Sequence, residues 1–504
     1  MKYLNSLKPR TLAATLLAFA FMLSAVAPLR AQQPPPGQDK GTSRSKVERK
    51  NRAPVSKEVL RVKLPKPVEA TLDNGLTVLI LEDHRFPVVN VSLQISGAGP
   101  IFDPADKPGL ANLTAQMLRE GTKTRNSRQI AEEVEKLGAT LGATSGFGST
   151  ASNITASGLS DNFDSWFGLM ADVLMNPTFP AEDFGKLKAR LKTALMTQRT
   201  QPSFLSEERF RRVVYGSHPA SVYSTNAAAL DAFTPEMLAA WHRDHYVPQN
   251  AILGIAGDVK ASEVIAKLKG ALAGWKRTDY KEVLPPSAKP ATEGKIYLID
   301  RPNSVQSTIT MGNIAIDRRH PDYIPVVVMN SIVGGGASAR LFLNLREEKG
   351  YTYGVYSSFN PLKYATPWSA GGDVRTEVTE GAMTEFLREL NRIRDEKVGA
   401  DELEEQKRSI VASFALSLES PTQLLNYSIT RKIYGLPDDY WETYPAKIMA
   451  VTADDVQRVA RQYVNPQTQQ IVVVGDAKKI KPILEKFGTV VVFDADGKPQ
   501  GTGN

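Results

Sequence analysis

The 504-residue sequence predicts an α+β protein made of two homologous β-sheet-plus-helix domains, a tandem duplication. Three observations support that expectation. Strand-like and helix-like patterns fall in separate runs rather than in regular βαβ alternation, which argues against a doubly wound sheet. The second half repeats the first: Tyr246-Val-Pro through Gly257-Asp258 returns about 218 positions later as Tyr463-Val-Asn-Pro through Gly475-Asp476. Leu137-Gly-Ala-Thr-Leu-Gly-Ala returns as Lys349-Gly-Tyr-Thr-Tyr-Gly-Val, Phe184–Leu195 as Leu403–Phe414, and Ala111-Asn112 as Met329-Asn330. Between the halves, residues 276–294 hold Pro285, Pro286 and Pro290 without periodicity and read as a linker joining domains at 67–275 and 295–492.

Taken in order, residues 1–31 place Lys2, Lys8 and Arg10 before an apolar run from Thr11 to Ala27 and a small residue at Ala31. That is the layout of a secretory signal peptide, and the run is slightly short for the alternative, an uncleaved membrane anchor. Residues 32–66 are rich in Pro, Gln and Lys and read as a flexible basic leader. Asp73-Asn74-Gly75 supplies a tight turn between two strands within 69–82, and 88–95 alternates as a third strand. Helical patterns follow over 109–120, 127–137, 161–175 and 181–199, another opens at Thr234, and 251–256 is a buried strand. Residues 493–504 form a tail.

Composition narrows the function. The formal charge of +8 is concentrated at the start: residues 1–31 contribute four positive charges and 32–66 a net of seven, leaving the rest near −3. The basic leader has no aromatic residue on which a base could stack, so no nucleic-acid partner is expected. Cys is absent, which removes a disulfide framework, and no other stretch is long and apolar enough to span a membrane. Export by the signal peptide implies the periplasm.

Two stretches bear on chemistry. Gly109 to Thr122 reads Gly-Leu-Ala-Asn-Leu-Thr-Ala-Gln-Met-Leu-Arg-Glu-Gly-Thr, and Gly334 to Gly354 reads Gly-Gly-Gly-Ala-Ser-Ala-Arg-Leu-Phe-Leu-Asn-Leu-Arg-Glu-Glu-Lys-Gly-Tyr-Thr-Tyr-Gly. Through them the chain resembles the pitrilysin/insulinase family of inverted-motif zinc metallopeptidases, over nearly all of residues 68–492. The resemblance implies two domains facing each other like a clamshell. Active members carry Gly-Leu-Ala-His-x-x-Glu-His-Met-Leu-x-x-Gly-Thr at the first stretch, with two His as zinc ligands and the Glu as general base. This chain has Asn112, Ala115 and Gln116 at those positions. The family's third ligand is a Glu on a later helix, seven residues after another Glu; the two positions fall at Leu187 and Ala194, and residues 185–196 hold no acid. Amide oxygens are poor zinc ligands beside imidazole and Ala115 cannot take a proton, so no metal is expected in this chain. The one close His pair, His242 and His245, precedes a buried strand and is expected to be structural.

The second stretch is kept almost unchanged. The resemblance gives Arg346 the role of holding a substrate backbone carbonyl, and Tyr353 that of donating to the oxyanion above a zinc ion. Arg346 is expected in the last turn of a helix stopping at Gly350, and Tyr353 on a strand over 351–359. Gly334, Gly335 and Gly336 are expected to let backbone approach a peptide substrate. Some two-chain members divide the site, with zinc in one subunit and the Arg/Tyr pair in the other. The chain resembles that second, co-catalytic subunit, so the expected partner is a homologous subunit bearing the zinc motif. The alternative is an inert scaffold or peptide-binding protein of the same fold. An active zinc peptidase in its own right conflicts with Asn112, Ala115, Gln116 and Ala194.

Overall fold

The structure is a computed structural model whose described residues run from 58 to 500. The expected signal peptide, the leader up to residue 57 and the last four residues lie outside them. The turn at Gly75, where φ is +89°, separates β1 (Val68–Thr71) from β2 (Thr77–Glu82). The first half continues with β3 (Val88–Ser96), β4 (Thr140–Thr144), β5 (Ala151–Leu159) and β6 (Ala251–Gly257). The second half lays down β7 (Lys295–Asp300), β8 (Gln306–Ile316), β9 (Thr352–Phe359), β10 (Thr366–Arg375), β11 (Gln470–Gly475) and β12 (Val490–Phe493). Residues 276–294, between β6 and β7, contain no helix or strand.

Each half forms one six-stranded sheet, ordered β1-β2-β6-β3-β5-β4 and β12-β7-β11-β8-β10-β9. Five strands of each sheet, all but β1 and β12, correspond one to one, so the duplication read from the sequence is a duplication of topology. β2 and β6 run parallel, as do β7 and β11, and the inner ladders beyond them are antiparallel. The outermost strands differ, since β1 joins β2 antiparallel and β12 joins β7 parallel.

Strand alternation decides how the sheets are covered. On β2, Val78 and Ile80 point into the first half's own core, under the helices Leu110–Met117 and Phe163–Met175. Leu79 and Leu81 point to the opposite face and pack, with Ala256, against Leu425 and Ile429 of the helix Pro421–Tyr434 from the second half. The second sheet mirrors this. Ile471 and Val473 of β11 face its own core, and Val472 and Val474 pack against Phe204, Leu205, Phe210 and Val214 of the helix Pro202–Tyr215 from the first half. Each half therefore lends one helix to the other's sheet, which explains why β2 and β11 are apolar on both faces. Gly254 permits one close approach, since a Cβ there would lie 2.7 Å from Ile429. An arginine holds each corner where the lent helix begins: Arg85 Nη2 donates to the Glu419 carbonyl at 3.1 Å, and Arg301 Nη2 to the Thr200 carbonyl at 3.0 Å.

The expected hairpin, third strand and helices appear within one to three residues of their expected bounds. The helix Pro202–Tyr215 and strands β4 and β5 are additions to the elements read from the sequence.

Because the lent helix seals the second sheet, Phe210→Ala should cost about 3–5 kcal/mol, the usual range for emptying a buried aromatic site. Phe210 is 2% exposed. Urea unfolding should show a lowered midpoint and a single transition for both halves; loss of the second sheet alone would show that the exchange does not couple them.

Candidate functional site

The helix Leu110–Met117 begins where Asp103 accepts the backbone N–H of Gly109 at 2.7 Å and of Ala111 at 2.9 Å. Burial pushes the Asp103 carboxyl up to about 7, against the pull of those donors. Leu110, Leu113 and Met117 are buried, which fixes the helix's rotation and leaves Asn112 and Gln116 together on a half-buried face. Asn112 Nδ2 donates to the Ser145 carbonyl at 2.8 Å, and Gln116 Nε2 donates to Asn112 Oδ1 at 2.7 Å. Thus the amide groups standing at the ligand positions bond each other and the neighbouring loop. Ala115 is buried, Leu187 is buried on the helix Ala181–Gln198, and Ala194 on the same helix is half-buried. A zinc ion does not fit this donor set, which offers neither imidazole nor carboxylate. Among the described residues, no group of three or more His, Asp or Glu side chains comes together in a way that could hold a metal ion.

The His pair is structural in its contacts. His242 Nε2 donates to the Leu174 carbonyl at 2.7 Å, and burial pushes its pKa down to about 4. His245 Nδ1 lies 2.8 Å from the Gly97 carbonyl, and its ring stacks on Trp241 at 3.7 Å.

In the second half, Arg346 lies in the helical segment Phe342–Glu348, which is a π-helix rather than an ordinary α-turn. Gly350, with φ +62°, ends that segment as expected, and β9 follows along the edge of the sheet. Opposite Tyr353 and Gly354, the pairing of β9 with β10 shifts register between Gly372 and Val374, a β-bulge that re-aims the local side chains. Tyr353 is 86% exposed, well beyond the half-buried state of a typical strand aromatic. The Arg346 guanidinium lies over its ring, 5.0 Å from the centroid, and Nη1 donates to the Thr352 carbonyl at 3.3 Å. Arg346 and Tyr353 are therefore brought together, as are Asn112 and Gln116. Among the described residues, no hydrogen bond, ion pair or ring contact joins the first pair to the second.

The glycines divide. Gly334 ends the helix Tyr323–Gly334 against β9, where a Cβ would lie 2.5 Å from the Ser357 backbone nitrogen. Gly335 is crowded by Ser331 of its own helix, and Gly336 faces open space. Packing thus accounts for the first two, while the third is unconstrained by neighbours.

Two family profiles match the chain: "Insulinase (Peptidase family M16)" over residues 77–220 and "Peptidase M16 inactive domain" over 232–410. The chain belongs to the insulinase family, peptidase family M16. Among its relatives, an "Uncharacterized zinc protease" of Rickettsia felis is 24% identical over 412 residues, covering 80% of this chain and 96% of that protein. A "Non-peptidase homolog YmxG" of Helicobacter pylori is 22% identical over 410 residues, covering 80% and 93%. The crystal structure of a peptidase M16 inactive domain from Pseudomonas fluorescens superposes with a TM-score of 0.75 at 26% identity, covering 81% of this chain and 98% of that one.

Two outcomes follow for this M16 chain. Elemental analysis of the purified protein after dialysis should find no stoichiometric zinc; about one tightly held zinc per chain would contradict the contacts of Asn112 and Gln116. His242 also makes stability depend on pH. Its folded pKa of about 4 lies below the ordinary 6.5, so its contribution is full above 6.5 and is lost as pH falls toward 4. The loss is roughly 3 kcal/mol, and His242→Gln should flatten the urea midpoint over that window.

Proposed function

We propose that this M16 chain is an exported, zinc-free subunit of a heteromeric metallopeptidase, supplying Arg346 and Tyr353 to peptides cut at a partner's zinc. One observation carries the reading: the guanidinium and the phenol sit together, with the phenol 86% exposed on a bulged edge strand, in a chain whose own metal positions hold Asn112, Ala115, Gln116 and Ala194. An exposed hydroxyl at a sheet edge can reach an oxyanion formed on a peptide brought by another molecule. An edge strand also offers main-chain groups that pair with an extended peptide whatever its side chains, which suits a broad peptide substrate class. The partner is a homologous subunit carrying the zinc motif. The signal peptide read from the sequence supports a periplasmic site of action. The name "Non-peptidase homolog" carried by one relative supports a chain that does not cut peptides alone.

If the reading holds, Tyr353→Phe in the reconstituted heteromer should spare assembly and slow turnover by roughly 10²–10³, the usual loss for one oxyanion donor. Arg346→Ala should also raise KM, since its guanidinium holds the ground-state backbone. Steady-state kinetics against a fluorogenic peptide decide this. Unchanged turnover in Tyr353→Phe, with the complex intact, would favour the scaffold or peptide-binding alternative.

A further inference from the structure

Seven consecutive residues of π-helix need a cause, because this geometry is rare and mostly limited to single turns. The segment Phe342–Glu348 contains no Pro or Gly, and its Leu, Arg and Glu residues favour an α-helix. Its i+5 bonding includes the Lys349 N–H to the Asn344 carbonyl at 2.9 Å. Local preference opposes the observed register, so a tertiary contact must impose it.

The duplication supplies an internal comparison. Counted back from the repeat of 137–143 at 349–355, the α-helix Ser127–Lys136 corresponds to 339–348. Both segments end at a left-handed glycine, Gly138 at φ +58° and Gly350 at φ +62°. At the position matching Asn344, the first half has Glu132, which points outward and pairs with Arg128 at 2.7 Å. Asn344 instead points inward and is buried. The helices that follow β5 and β10 begin at Phe163 and Thr379, which aligns Leu169 and Val173 with Glu385 and Glu389. The α-helical half thus presents two buried apolar residues where the π-helical half presents two carboxylates.

Those carboxylates converge on one amide. Asn344 Nδ2 donates to Glu385 Oε2 at 2.8 Å and to Glu389 Oε1 at 2.7 Å. Glu389 is 1% exposed and also accepts from Arg392 Nη1 at 2.9 Å, while Arg388 Nε lies 2.9 Å from Glu385. Upstream, Arg340 makes a two-point contact with Glu402 at 2.7 Å, which fixes the start of the segment. One residue of helical register is a rotation of about 100°. Return to the α register would swing Asn344 away from two carboxylates that keep their arginines but each lose a charge-assisted hydrogen bond, a costly loss at buried Glu389. The same rotation would carry Arg346 off the Thr352 carbonyl and the Tyr353 ring.

We infer that Asn344 and Glu389 are positioning residues that hold the π register and thereby aim Arg346 at Tyr353. The effect on turnover rests on the function proposed above, whereas the effect on register does not. The test is a double-mutant cycle in the full chain reconstituted with a zinc-motif homologue from the same cell, paired with hydrogen exchange on the chain alone. Asn344→Leu should lower kcat/KM for a fluorogenic peptide roughly ten-fold when Arg346 is present, and less than about two-fold in the Arg346→Ala background. Amide exchange over residues 342–350 should change by about ten-fold or more in Asn344→Leu. An equal fall in both backgrounds, or unchanged exchange, overturns the inference. If Arg346→Ala alone leaves turnover untouched, the co-catalytic reading fails, and exchange alone decides the register. Should Asn344→Leu not fold, Glu389→Gln keeps the side-chain shape and takes its place in both measurements, with the same outcomes deciding.

Discussion

The reciprocal loan of helices is the constraint on which the rest of the structure depends. A mixed sheet with apolar residues on both faces must be covered twice, and each half has helices of its own for only one face. Leu425 and Ile429 close the first sheet from the second half, and Phe204, Leu205, Phe210 and Val214 close the second sheet from the first. Neither half is complete without the other. The two sheets are therefore fixed by shared core rather than by a linker, and the edge strand β9 is presented from a rigid base.

On that common plan the halves have diverged in opposite directions. The first has become quiet: Asn112 and Gln116 satisfy each other and the Ser145 carbonyl, and buried Ala115 adds only packing. The second carries an exposed aromatic at its sheet edge and a buried ionic cluster. Tyr353 is held out of the core by a bulge, and a buried ionic cluster bends an otherwise α-favouring segment into an unusual helix. Burying carboxylates costs stability that apolar residues such as Leu169 and Val173 would not, so the second half keeps this arrangement at a cost.

Much of this was legible in the sequence because it depended on residue identity and spacing. The replaced motif residues, the duplication and the glycine at 350 all follow from patterns of residue identity and spacing. The helix Pro202–Tyr215 gives no clear signal in the sequence, because its apolar residues answer a sheet from the other half and form only a weak stripe of their own. β5 is silent in the sequence because its run of Ala, Ser, Thr and Gly lacks the bulky residues that signal a strand. The π register was hidden for a different reason. Phe-Leu-Asn-Leu-Arg-Glu-Glu reads as ordinary helix, and only Glu385 and Glu389, some forty residues later, make Asn344 turn inward. Gly334 is expected to face a substrate, and the 2.5 Å approach a Cβ there would make to the Ser357 nitrogen gives glycine a packing reason as well.

The bulge at Tyr353 and Gly354 has a consequence for colloidal behaviour. A straight, unprotected edge strand is a template on which a second copy of a chain can add its own edge, and concentrated protein then aggregates. β9 is such an edge, but its regular pairing with β10 is broken between Gly372 and Val374, and the protruding ring of Tyr353 stands at the break. A long strand from another copy cannot run in register past that point, whereas a short extended segment can align beyond it, from Val355 onward. The irregularity that exposes the phenol thus also shortens the regular open edge to the residues from Val355 onward.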